Sequence, residues 1–347
     1  MKSNVYRAIF FETPDYIPVR FSINDACWHH YPQDWLAQQI NDHQLVFSGR
    51  KPPELPYTPI YALVARKEKP YVDDFGCRWE TTDNGITGTV VDHPLSDWAA
   101  YGKYIFPDPE HQTGIGPVDW AAETARIQTE HDTGEFSIRG LRHGHTFLQL
   151  CYLRGYQNLM YDMVDEEPLL MDLIKQLELF NQNIVDRYLD AGADMISFPE
   201  DLGMQVGPMI SPELFRRYIK PSYIRMMRSV KEKGLPVHMH SDGDIRMLAD
   251  DLVDSGVAVI NLQDLVNGVD WIRERFRERL CVDLDVDRQH VTVNGTPKEI
   301  DELIRREVEA IATPRGGLML TFGLYPGTPM KNVEAIINAL ERYMQFF

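Results

Sequence analysis

"KEKGLPVHMHSDG", residues 231–243, carries the pattern that decides the fold. A helical run that begins near residue 212 ends in its first residues and stops at Gly234. The chain then enters "LPVHMHSD", a short strand with polar groups on alternate positions. The same beat recurs on both sides. An amphipathic run over 166–191 stops at Ala191 and Gly192 and gives way to "DMISFPEDLG". A helix over 245–255 stops at Gly256 before "VAVINLQD", and one over 268–278 precedes "LCVDLDVD". A helix over 297–312, with Thr296 as cap and Pro297 as first residue, leads to "GLMLTFGLYPG", and a last helix covers 329–345. Short apolar strands alternating with helices of ten or more residues make parallel βαβ units. Five or six such units and one or two early strands come to about eight, which predicts an α/β fold of the (β/α)8 TIM-barrel type. A doubly wound sheet would carry a glycine-rich phosphate loop after its first strand. There is none here, and the glycines fall after helices instead.

The 347 residues suit one barrel domain over 1–347 with an elaborated N-terminal region. Residues 1–130 are irregular and rich in proline and aromatics. Within them "YIPVRFSI" (16–23) reads as a buried strand, and "DDFGCRWETTDNGITGTVVDHP" (73–94) as a hairpin around Asn84 and Gly85. Residues 131–347 are regular βα units. A formal net charge of −17 argues against nucleic acid or an anionic membrane as partner, since both need a basic stripe. The opening residues do not read as a leader peptide, and no run of about 18 apolar residues predicts a membrane span. Cys27, Cys77, Cys151 and Cys281 form no C-x-x-C pair, which speaks against a disulfide framework or an all-thiolate zinc site. A cytoplasmic protein is expected.

Barrel chemistry sits at the C-terminal strand ends, so their polar residues are the candidates. These are Arg20 and Asn24; His143 and His145; Glu200 and Asp201; His238, His240 and Asp242; Gln263 and Asp264; Asp283, Asp285 and Asp287; and Tyr325. Period-two alternation puts His238, His240 and Asp242 on one face. His240 and Asp242, joined by Glu200 from a nearby strand, form the expected catalytic group, either as zinc ligands or as an acid/base set. Arg20, Asp73, His145, Gln263, Asp283 and Tyr325 are the expected substrate contacts. The alternative for the histidine strand is a hydrogen-bonded rim without chemistry. Serine-hydrolase and NTPase readings fall away for want of a Gly-x-Ser-x-Gly elbow or a P-loop.

"EDLGMQVGPMISPELFRRYIKPSY" and "VHMHSDGDIRMLADDLVDSGVAVINLQD" resemble the uroporphyrinogen decarboxylase superfamily, which includes methylcobalamin:coenzyme M methyltransferases. "LRGYQNLMYDM", "DDFGCRW" and "LYPGTPMKNVEAIINAL" extend the resemblance over essentially the whole chain. It implies a barrel. The decarboxylases of the family carry an arginine-rich segment that clamps an octacarboxylate, but the corresponding "PVRFSINDACWHH" holds Arg20 alone. The methyltransferases hold zinc with His-x-Cys and a distant cysteine. Here His240 matches the histidine, Asp242 replaces the first cysteine, and Phe322 stands near the position of the second. The resemblance thus implies a corrinoid-linked methyltransferase-like enzyme for a small methylated substrate, with zinc as the metal. A cobalamin on a separate protein would be the acceptor, and a homodimer is allowed. A cofactor-free decarboxylase, with Arg20 on a carboxylate and Asp73 facing a developing cation, is the first alternative. A non-catalytic small-molecule-binding barrel is the second.

Overall fold

The computed structural model describes residues 2–347, and the chain in it divides into two compact units. The first comprises the chain up to Arg66, Thr82–Thr87 and Ile260–Phe347; the second comprises Lys67–Thr81 and Gly88–Val259. Both are built from parallel strands and helices. Among the described residues seven such strands occur, not eight: β1 (Val19–Ile23), β2 (Ile138–Gly140), β3 (Met195–Asp201), β4 (Val237–Asp242), β5 (Val259–Gln263), β6 (Cys281–Asp285) and β7 (Leu318–Leu324).

In the second unit the strand order is β2-β3-β4. The register pairs Gly140 with Ser197, Ser197 with His238, Pro199 with His240 and Asp201 with Asp242. In the first unit the order is β5-β6-β7-β1, with Asp285 opposite Thr321 and Thr321 opposite Arg20. Order and sequence run together in the second unit and over β5-β6-β7, while β1 pairs beside the last strand, β7.

The helices fall close to where periodicity puts them. Those expected from it are α1 (Phe147–Arg154), α2 (Tyr156–Val164), α3 (Pro168–Asp190), α4 (Lys220–Glu232), α5 (Ala249–Ser255), α6 (Val269–Phe276), α7 (Pro297–Ile311) and α8 (Met330–Tyr343), while Gln33–Asp42 and Trp120–Asp132 are also helical although the early part of the chain reads as irregular. At the start of α7 the Thr296 hydroxyl accepts from the Glu299 N–H while the Glu299 side chain accepts from Thr296, closing a capping box with Pro297 in the first turn. The run expected over 212–233 is broken: a short turn at Pro212–Leu214 and a π-type segment at Phe215–Ile219 precede α4.

In the second unit Arg78–Glu80 pairs antiparallel with Thr89–Asp92. Apolar strand residues such as Ile196, Phe198, Val237 and Met239 are fully buried. Polar residues of β3 and β4 alternate with them, and that alternation is what presents a site. No helix among the described residues is long and apolar enough to cross a membrane.

Candidate functional site

In the second unit the chain leaves β2, crosses residues 141–146 and enters α1. That connection is stitched onto β3: the Leu141 N–H donates to the Ser197 carbonyl (3.0 Å) and the Gly144 N–H to the Pro199 carbonyl (2.9 Å). His143 is thereby carried to the end of β3 and β4. Its Nε2 lies 3.3 Å from Asp201 Oδ1, and His240 Nε2 lies 3.6 Å from the same oxygen. These three residues each offer a ligand atom, with all three atoms within 4.8 Å of one another. Tetrahedral sites with bonds of about 2.0–2.2 Å have ligand–ligand edges of roughly 3.3–3.6 Å, so the spacing suits a small divalent cation.

Two imidazoles and a carboxylate are also the donor set such an ion takes in catalytic sites, which leave a position open. Asp242 stands beside them. Its Oδ1 is 3.8 Å from His240 Nε2, and its N–H donates to Asp201 Oδ1 (3.1 Å). Burial works to raise the Asp201 carboxyl, but hydrogen bonds from His143 and His240 outweigh it and hold the group well below the usual carboxylate range.

The turn after β4 is tight. Gly243 has φ +81°, and a Cβ on it would stand 2.2 Å from the Gly203 carbonyl carbon. Only glycine lets the two backbones cross there, just after the residues that carry the group. His238, deeper on the face of His240, is 4% exposed, and its Nδ1 is 2.9 Å from Ser197 Oγ.

Of the ligand set expected from sequence, His240 alone stands in this group, while His143 and Asp201 supply the rest. The Glu200 carboxylate faces the other way and is completely buried. Its Oε1 accepts from the Thr146 (2.6 Å) and Phe147 (2.8 Å) N–H groups, and its Oε2 from Leu148 (3.2 Å). It therefore caps the start of α1. His145 is sealed in the same place, with Nδ1 2.6 Å from Thr146 Oγ1 and its ring 5.6 Å from that of Tyr223. Burial lowers the His145 pKa well below the ordinary histidine value and raises those of Glu200 and Tyr223.

Asp73 is buried too. It accepts from the Phe75 and Cys77 N–H groups and from Trp79 Nε1 (2.8 Å), so it closes its own turn. A signal for Asp201 was present in "ISFPED": Ile196 and Phe198 must face the core, so Glu200 shares their side and Asp201 does not. His143 was a strand-end candidate alongside His145, but as a substrate contact and not as a ligand.

The remaining expected contacts lie in the first unit. Thr321 Oγ1 donates to Asp283 Oδ1 (2.7 Å), and Arg20 Nη2 lies 3.5 Å from Asp283 Oδ2. Gln263 is buried, and Tyr325 is 43% exposed. Asp287 is a local cap, accepting from the His290 and Thr292 N–H groups. Phe322 packs against Phe21, their ring centroids 5.3 Å apart. Arg288, which sequence reasoning passed over, pairs with Asp285 (2.6 Å).

A methyltransferase from Methanosarcina mazei superposes over 99% of this chain and 98% of its own, with a TM-score of 0.65 at 17% identity, which shows a shared fold. Uroporphyrinogen decarboxylase of Thermus thermophilus is 29% identical over 185 residues, 52% of this chain and 50% of that protein. The methylcobamide:CoM methyltransferase of Methanosarcina barkeri is 20% identical over 204 residues, 55% of this chain and 57% of that protein. The chain thus spans about half the length of the curated relatives it matches. The family model for uroporphyrinogen decarboxylase matches residues 71–343, well over half of the chain, and the protein belongs to that family.

Proposed function

We propose that the protein is a metal-assisted, methyltransferase-like enzyme of this family. On this reading it moves a methyl group from a small methylated oxygen or nitrogen compound to a cobalamin carried by a separate protein. The observation that carries the reading is the His143–Asp201–His240 group, whose spacing and donor types fit a divalent cation such as zinc.

Held by these three side chains, the ion would supply Lewis acidity toward the departing heteroatom. The residues' own work is separable from that. Asp201 Oδ1 lies 3.3 Å from His143 Nε2 and 3.6 Å from His240 Nε2, so its carboxylate brings the three donor atoms together at one place. Asp242, 39% exposed in its side chain and next to His240, is the group placed to deliver a proton to the leaving oxygen or nitrogen. Glu200 and His145 act from behind, by holding the segment that bears His143.

The test begins with elemental analysis of the purified protein. It then mixes the protein with free cob(I)alamin and a panel of methyl ethers, methanol and methylamines, scoring methylcobalamin by absorbance with and without a chelator. The expected outcome is about one bound divalent ion per chain and chelator-sensitive methylation. Metal-free protein converting uroporphyrinogen to coproporphyrinogen at the rate of an authentic decarboxylase would overturn the proposal.

A further inference from the structure

The buried stripe of α7 consists of Ile300, Ile304, Glu307, Val308 and Ile311, at the spacing of an amphipathic helix. All are aliphatic except Glu307, which is completely buried. A carboxylate taken out of water needs hydrogen-bond donors or a cation. No N–H or O–H group of the protein reaches either Glu307 oxygen. Its neighbour Arg306 turns outward to Asp270 (3.5 Å), where both side chains are 66% exposed.

What faces Glu307 is a second carboxyl. Asp264, 1% exposed, shares a side-chain hydrogen bond with it. Asp264 already accepts at both oxygens, Oδ1 from the Leu265 N–H and Oδ2 from the Asp287 N–H (2.8 Å). Asp287 in turn accepts from the His290 and Thr292 N–H groups (both 3.0 Å). Two carboxyl groups share a hydrogen bond only when one of them carries a proton. The N–H donors converge on Asp264, so Asp264 holds the charge and Glu307 holds the proton. Burial raises both pKa values. Donors work against it at Asp264, whereas the Asp264 charge adds to it at Glu307. Asp287 also raises Glu307, and Arg306 opposes the rise. The short helix Val291–Asn294 brings only the exposed His290 beside it, and the buried residues of α6 and α8 carry no charge.

We infer that Glu307 and Asp264 form a proton-dependent latch that joins α7 to the C-terminal ends of β5 and β6. With the proton in place, α7 holds Asp264, Asp264 holds the Asp287 main chain, and Asp287 holds the turn at 290–292. Without it two buried carboxylates face each other, and their repulsion frees both strand ends from α7. In folds of this kind the C-terminal strand ends carry the chemistry, so the latch makes their firmness depend on pH. Unfolded, Glu307 loses its proton near 4.5, whereas folded it keeps that proton to higher pH. The contribution of the latch is therefore complete below 4.5 and is lost as pH rises through the folded value. This inference stands on the first unit alone and is independent of the metal reading.

Urea unfolding of the full chain from about pH 6 to about pH 9, with a chelator present, tests it on wild type, Glu307→Gln and Glu309→Gln. Glu307→Gln keeps a donor toward Asp264 and has no proton to lose. Glu309→Gln makes the same charge change on the exposed side of α7. The unfolding equilibrium constant of wild type and of Glu309→Gln should rise by up to about tenfold per pH unit relative to that of Glu307→Gln. Amide hydrogen exchange reads the latch locally. At the Leu265, Asp287 and Thr292 N–H groups the ratio of rates, wild type over Glu307→Gln, should rise over the same range, since intrinsic rates cancel at each pH. If Glu307→Gln does not fold, Glu307→Met takes its place in the urea series and should show a lower stability without the wild-type slope. Equal slopes in wild type and the variant at 307, a slope lost as well in Glu309→Gln, or an exchange ratio that does not change with pH would each overturn the inference.

Discussion

Glu200 and Asp201 are neighbours in sequence and opposites in every physical respect. Glu200 is sealed behind β3, and burial raises its pKa although three N–H groups at the start of α1 offset part of the effect. Asp201 is partly open, and two imidazoles hold its pKa down against burial. One peptide step separates them, because a strand sends successive side chains to opposite faces. The lesson is a division of labour. The buried carboxylate shapes the scaffold, tying α1 and the segment that carries His143 to β3, and the open one gathers the groups that face a ligand.

The largest effect should come from the open side. Replacing His240 by Ala removes a ligand or acid/base partner used mainly in the transition state. Activity on a methyl donor should fall by about 10²-fold or more, with the circular dichroism spectrum unchanged. Asp201→Asn should act alike, because it leaves both imidazoles without their shared carboxylate oxygen. A His240→Ala protein with wild-type turnover and wild-type metal content would reduce the open group to an ordinary rim.

The sealed side should show the reverse. In Glu200→Gln an amide NH2 replaces one carboxylate oxygen and is turned toward backbone donors. Leaving such a buried group unmatched costs about 1–3 kcal/mol. Urea unfolding should therefore move to a lower midpoint, while metal affinity, read by competition with a chromogenic chelator, changes far less than in Asp201→Asn. Equal losses of affinity in the two variants would erase the distinction between the faces.

The contrast also shows how far the sequence could be read. The strand–helix beat around Gly192, Gly234 and Gly256 was legible because it rests on local periodicity. His240 was legible for the same reason, as a polar residue at a strand end. The partners of His240 were harder to find. His143 reaches the site through a connection whose path depends on hydrogen bonds to Ser197 and Pro199, and no periodicity encodes those. Asp201 was visible but lost to Glu200, a choice that turned on facing rather than residue type. Arg288 was hidden because a lone arginine after a strand looks like surface until Asp285 and Gly323 are seen beside it.

The smallest effect is a difference of slope, and it probes the pair most directly. Unfolded, Glu200 loses its proton near the ordinary value of 4.5; folded, it holds that proton to higher pH. Above 4.5 the native state therefore binds more protons than the unfolded state, and stability falls as pH rises toward the folded pKa. Asp201 has the opposite sign. Its folded pKa lies below the unfolded value of 3.8, so its contribution is present above 3.8 and is lost as pH falls through the folded pKa. Urea midpoints collected from about pH 3 to about pH 7, with a chelator present so that no bound cation adds its own linkage, separate the two. Glu200→Gln should flatten the curve above 4.5 and leave the acid limb alone, whereas Asp201→Asn should flatten only the acid limb. If both variants bend the same limb, the two carboxylates share one environment, and the division between the faces of β3 fails with it.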